Sequence, residues 1–145
     1  MDSDFKEIFN KILALPMEDR LDLVEFTYKQ LRDDFFQFEP KVHGLGLVGL
    51  VLVSSAAANG TVTYSERCAV RRVLEIEGIS LDDEDLRKFF EEGLKNQSFD
   101  VVISFAKKLE AEKRALLFTL VTAISACDGE IDEHEYDFLI DIITA

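Results

Sequence analysis

Several features that would announce a particular chemistry are scarce in this chain. Cysteine occurs only twice in 145 residues, at Cys68 and Cys127, and the chain begins with no cleavable signal-like segment. A disulfide framework is therefore not expected, and the setting should be reducing and cytoplasmic. Both thiols read as small buried hydrophobes, with thiol sensing as the alternative. Histidine also occurs only twice, at His43 and His134. With no nucleophile elbow and no H-E-x-x-H segment, nothing assembles for hydrolysis or phosphoryl transfer, so no enzyme activity and no catalytic residue are expected. Positive charge is in deficit as well: 16 Lys and Arg face 29 Asp and Glu, a formal net charge of −13. The resulting field repels phosphate backbones and anionic lipid surfaces, which argues against nucleic acid and membrane-surface partners. Long hydrophobic runs are missing too. The most apolar stretch, Leu45 to Ala58, has about 14 residues, against roughly 20 for a membrane-spanning helix. It reads as a buried central helix.

Strand alternation bounded by hairpin turns is absent, and helical periodicity fills its place. Phe5, Ile8, Phe9, Ile12 and Leu13 follow the spacing of one apolar helical face, and Asp4 and Glu7 have capping-box spacing at its start. Pro16 suits the first turn of a second helix, along which Leu21, Val24, Tyr28, Leu31 and Phe35 form a stripe. The segment from Phe38 to His43, with Pro40, reads as a linker. An apolar helix then runs from Gly44 towards Asn59-Gly60, and another begins near Thr63 and stops at Gly78. Ser80 to Asp85 is an acid-rich helix start followed by Leu86, Phe89, Phe90 and Leu94. Ser98 can cap a helix carrying Val102, Ile103 and Ala106. A break between Leu109 and Glu112 leads to a helix with Leu116, Leu117, Leu120, Val121 and Ile124, and the last helix starts near Asp132. The reading is an all-α fold of seven or eight helices, a single domain over 1–145, with a hairpin over 1–37 and a core over 44–145. With 48% hydrophobic residues, such a chain can bury a core without metal or disulfide support.

One pattern organises these helices. Asn59-Gly60-Thr61-Val62-Thr63-Tyr64-Ser65-Glu66 aligns with Asp128-Gly129-Glu130-Ile131-Asp132-Glu133-His134-Glu135 at an offset of 69 residues. Downstream, Ala69, Val70, Val73 and Leu74 meet Phe138, Leu139, Ile142 and Ile143. Upstream, Val48, Val51 and Leu52 meet Leu117, Leu120 and Val121. Each unit is helix, tight loop, helix, and neither can bury its own apolar face, so the two are expected to pack together about an approximate two-fold axis. Within each loop the roles are readable. Asn59 or Asp128 suits the helix exit, Gly60 or Gly129 supplies a positive φ, and Val62 or Ile131 anchors the loop. Thr63 or Asp132 then caps the next helix, with Glu66 or Glu135 reaching back to the free N–H.

This pattern, a small-residue helix end, Asp-Gly, an aliphatic residue two places on and Glu four places after that, resembles the tellurite-resistance TerB-like family. The fold is also similar to the N-terminal domain of a membrane-anchored DnaJ-type co-chaperone. The resemblance covers about Gly44 to Ala145, and the first copy departs from it by carrying Asn59 where the family has Asp. It implies a non-catalytic, cytoplasmic module linked to stress or tellurite resistance, for which scaffold and metal-sensing roles have been suggested.

Two functional readings follow. The acid bias is concentrated, because no Lys or Arg occurs after Arg114, whereas Asp128, Glu130, Asp132, Glu133, Glu135, Asp137 and Asp141 all lie in the final stretch. A clustered field of this kind can dock a protein partner, a basic one above all, or a second copy of the chain as a homodimer. The alternative is a divalent-cation or metalloid-responsive sensor. Asp128-Gly129-x-Ile131-x-x-x-Glu135 reproduces the second half of an EF-hand loop, but the first ligand positions fall on Ile124 and Ala126, which offer no side-chain oxygen. What remains is a weak Ca or Mg site built from Asp128, the Glu130 carbonyl, Asp132 and Glu135. Capping and solvation account for the same residues without a ligand, and no other cofactor is expected. Gly44-Leu45-Gly46-Leu47-Val48-Gly49 matches a dinucleotide fingerprint only in letters, since no strand precedes it; the small residues in this helix read instead as allowing close helix packing.

Overall fold

The structure, a computed structural model, describes residues 2–38, 44–56, 62–95, 99–125 and 133–145; within its helices the side chains of 2–6, 9, 44, 45, 56, 94 and 133–135 also lie outside the description. Eight helices occupy the described residues: α1 (Asp2–Ala14), α2 (Met17–Gln37), α3 (Gly44–Ala56), α4 (Tyr64–Ile76), α5 (Asp83–Lys95), α6 (Phe99–Lys108), α7 (Ala111–Ser125) and α8 (Glu133–Ile143). No strand occurs among those residues, as the all-α reading expects. No helix among them is long and apolar enough to cross a membrane.

One hydrophobic cluster receives side chains from all eight helices. The two apolar helices α3 and α7 lie in it, and α2 packs most extensively against α7 and also touches α3 and α4. The stripe expected on α2 is buried in full: Leu21, Val24, Tyr28, Leu31 and Phe35 are each 5% exposed or less. Each such side chain contributes about 1.5–3 kcal/mol through burial. Phe35 stacks on Phe105 of α6 with ring centroids 4.8 Å apart, and Phe38 meets the same ring edge-on at 5.3 Å. The first residue of the expected linker is thus anchored in the core.

The junction between α1 and α2 is closed by a side chain that the sequence pattern did not single out. The last carbonyls of α1 have no partners within the helix, and the Arg20 guanidinium donates Nη1 to the carbonyls of Leu13 at 3.1 Å and Leu15 at 2.7 Å. Pro16 stands at the N-cap of α2 rather than inside its first turn. Two expectations for α1 need correction. The helix begins at Asp2, so Asp4 lies within it and is not the N-cap. Among the described side chains of its apolar face, Ile12 is buried and Leu13 packs on the core, while Ile8 is 41% exposed.

At the end of α4 the chain turns by a Schellman motif. The Ile79 N–H donates to the Leu74 carbonyl at 2.9 Å and the Gly78 N–H to the Glu75 carbonyl at 3.0 Å. Gly78 carries φ +76°, the left-handed conformation that a Cβ disfavours, which is why glycine stops this helix. The turn leaves Glu77 directed at α2, where its carboxylate accepts from the Tyr28 hydroxyl at 2.5 Å and from Arg32 Nε and Nη2 at 2.7 and 2.9 Å.

Not every buried polar group is so well served. Ser54 Oγ on α3 and Thr122 Oγ1 on α7, both in fully buried residues, find no hydrogen-bond partner among the described residues. An unsatisfied buried hydroxyl costs about 1–3 kcal/mol. Thr122→Val keeps the shape and removes that group, so the variant is expected to gain about 1 kcal/mol. The gain should be read as a higher urea midpoint at unchanged slope.

Candidate functional site

Of the residues singled out by the repeat, Thr63 and Glu66 are described in full. Thr63 stands at the N-cap of α4 with extended backbone, its hydroxyl accepts from the Glu66 N–H at 3.2 Å, and the Glu66 carboxylate accepts from the Thr63 N–H at 2.9 Å. Two of the orphan donors at the helix start are thereby satisfied reciprocally. Glu66 is only 2% exposed, so its carboxylate is not offered to solvent. Asn59, Gly60, Asp128, Gly129, Glu130 and Asp132 lie outside the described residues, and of Glu135 only the helical backbone within α8 is described. Cys127, His43 and His134 stand likewise outside it, apart from the helical backbone of His134. Among the described residues, no three of His, Cys, Asp or Glu are grouped so as to hold a metal ion.

The helices that lead into the two loops end against each other. Ser125 at the close of α7 donates its hydroxyl to the Ser55 carbonyl near the close of α3 at 2.8 Å, while the Ser55 hydroxyl turns back to the Val51 carbonyl at 2.6 Å. Small residues make this approach feasible, since Ser54, Ser55, Ala123 and Ser125 are all fully buried. Burial keeps the same phase on both sides of the loops. Val48, Val51 and Leu52 are buried on α3 as are Leu117, Leu120 and Val121 on α7; Ala69, Val70 and Val73 on α4 as are Phe138, Leu139 and Ile142 on α8. Asp137 and Asp141 face solvent on α8.

A second feature escaped the sequence reading. Between α4 and α5 lies a cleft of about 470 Å³, lined by Val62, Tyr64, Arg67, Cys68 and Arg71 on one side and by Asp83, Glu84, Leu86, Arg87, Phe90 and Glu91 on the other. Tyr64, Arg67, Cys68 and Arg71 share one helical face, opposite the buried Ala69-Val70-Val73 stripe. Their i, i+3, i+4, i+7 spacing is the signal that the sequence carries for this face. Leu86 and Phe90 form an apolar floor, 1% and 5% exposed. Arg71 Nη2 pairs with Asp83 at 2.7 Å; Arg87 pairs with Glu84 at 2.5 Å and also engages Glu91. A hydrogen bond to Cys68 holds the Tyr64 phenol above its ordinary value, and the Glu84 carboxyl sits below its own because of Arg87.

The family model described as Tellurite resistance protein TerB matches residues 47–145, from the first buried turn of α3 through α8. It lends no support to the co-chaperone likeness. No curated protein and no solved structure matches the chain.

Proposed function

The chain belongs to the TerB family of tellurite resistance proteins, and on that footing we propose that it is a non-catalytic interaction module which docks a basic protein partner through an acidic pole. The observation that carries this reading is the hydrogen bond from Ser125 to Ser55. With α3 and α7 ending side by side, the two bends that follow would leave the core at neighbouring points and share one pole. The matching burial phase of α3 with α7, and of α4 with α8, supports a pseudo-symmetric pairing of the two helix-loop-helix units. Asp137 and Asp141 are exposed on α8, and Asp128, Glu130 and Asp132 precede that helix in the chain and add to the same charge. No Lys or Arg follows Arg114 to neutralise it. Such a surface steers cationic partners by its field and needs no fixed coordination geometry.

The cation-sensor alternative asks for more than this arrangement offers. By analogy with Thr63 and Glu66, Asp132 and Glu135 would be engaged in capping α8, which leaves Asp128 and the Glu130 carbonyl with too few oxygens for calcium. Adding Ca²⁺, Mg²⁺ and Zn²⁺ while following backbone amide shifts separates the two readings. The docking module is expected to show only weak, unsaturated shifts below millimolar metal. Saturable micromolar shifts confined to residues 128–135 and lost in Asp128→Ala would establish the sensor instead.

A further inference from the structure

We propose that the cleft between α4 and α5 binds a small organic monoanion, with its carboxylate held by Arg67 and Arg71 and its apolar body resting on Leu86 and Phe90. Its volume of about 470 Å³ lies within the roughly 300–1,000 Å³ of small-molecule sites, and its mix of an apolar floor with a few convergent polar groups is the composition such sites have. Three of the seven arginines in a chain of net charge −13 gather on these walls.

The charges are not equally committed. Arg87 is held along α5 by Glu84 and by Glu91, so it forms a wall. Arg67 has no ion pair or side-chain hydrogen bond among the described residues. Arg71 spends Nη2 on Asp83, a side chain 99% exposed, while its Nε is shielded from solvent with no acceptor among the described residues. A shielded donor without a partner is costly, and a carboxylate oxygen arriving in the cleft would satisfy it. The Arg71 to Asp83 pair is too exposed to compete strongly, since such pairs contribute about 0–1 kcal/mol. Arg67 and Arg71 are four residues apart on one face, a like-charge spacing that weakens a helix slightly and that an anion between them would relieve.

The rim sets the valence and the class. Asp83 pairs with Arg71, and Glu84 and Glu91 both pair with Arg87, so Arg67 is the guanidinium with no carboxylate against it among the described residues. A ligand of one negative charge can pair there, while a polyanion meets repulsion from the rim and from the whole molecule. Leu86 and Phe90 add value only for a ligand with an apolar body. This inference rests on residues outside the acidic pole and stands or falls separately from the docking reading.

The test follows amide shifts of the full chain as benzoate is added, with benzyl alcohol as its neutral counterpart and inorganic phosphate as an anion lacking an apolar body. Benzoate is expected to give saturable shifts confined to residues 62–71 and 83–91, with both controls at least about ten-fold weaker. Arg67→Gln and Arg71→Gln should each weaken benzoate about ten-fold, the factor one charge-assisted hydrogen bond supplies. Lys107→Gln on α6 should leave it unchanged. Absence of saturation, equal binding of benzyl alcohol or phosphate, or wild-type affinity for benzoate in both arginine variants would overturn the proposal.

Discussion

Replacing Glu77 by alanine is expected to lower stability by about 2–3 kcal/mol, the cost of leaving a buried hydroxyl without its acceptor together with the space the side chain vacates. Glu77 has a side chain only 5% exposed, and it is the acceptor for three donors from α2. Its loss strands the hydroxyl of Tyr28, a residue with no exposed surface, and leaves Arg32 without its bidentate partner. Arg32 is 46% exposed and can turn to water, so the stranded phenol and the vacated space account for most of the loss. The conservative Glu77→Gln keeps an acceptor for Tyr28 and should lose less. That pair also fixes a pH dependence. Hydrogen bonds from Arg32 foremost, and from Tyr28, hold the Glu77 carboxyl below its ordinary value. A carboxyl lowered on folding contributes stability that is complete above the unfolded value of about 4.3 and is lost as pH falls through its folded value. The gap between wild type and Glu77→Gln should therefore be constant near neutrality and close in acid, as measured by urea unfolding across pH. A gap that stays constant into acid would mean that the charge of Glu77 contributes nothing. Burial, with the hydrogen bond to Glu77, pushes the Tyr28 phenol far up, so it remains a donor throughout.

Gly93→Ala should be the second large loss, about 1–2 kcal/mol, although alanine is a better helix former by about 1 kcal/mol. A Cβ at Gly93 on α5 would stand 2.5 Å from Val53 Cγ2 and 3.0 Å from Cγ1 on α3. Val53 is 2% exposed and β-branched, so it has no free rotamer into which to retreat. Gly49→Ala on the facing helix is expected to do the opposite and gain stability. A Cβ there meets nothing closer than Phe89 at 3.7 Å, an ordinary contact, and the propensity gain survives. The contrast places the close approach of α3 to α5 at Gly93 and not at Gly49. The residue that brings α3 and α5 together is Gly93, in a polar stretch of α5 with no small-residue pattern to mark it. Chemical unfolding of the two variants, and of Gly93→Ala combined with Val53→Ala, tests the assignment; the double variant should recover much of the loss.

How much of this was legible in the sequence depends on the range of the interaction. Helix positions, the α2 stripe, the Gly78 stop and the Thr63-Glu66 cap are local, set by periods of three to four residues and by single turns. The extent to which an apolar face is used is not local, which is why Ile8 and Ile12 share one face of α1 and only Ile12 of the two is buried. Glu77 and Tyr28 lie 49 residues apart, and no pattern in either segment announces the other. The α4–α5 cleft needed Arg87 brought opposite Arg67 and Arg71, which the turn through Gly78 accomplishes. The acidic pole is a case between these extremes. Its composition is plain in the sequence, and the Ser125 to Ser55 contact supplies the packing on which the proposed pole depends.

The docking claim is tested most directly by capture from the native cell with two forms of the full chain. One is the wild type, and the other has Asp128, Glu130, Asp132 and Glu133 changed to their amides, with unfolding midpoints compared to establish that both fold. The account predicts a basic partner retained by the wild type, released by high salt and not retained by the amide form. Retention of the same partner by both forms, with no response to salt, would contradict it.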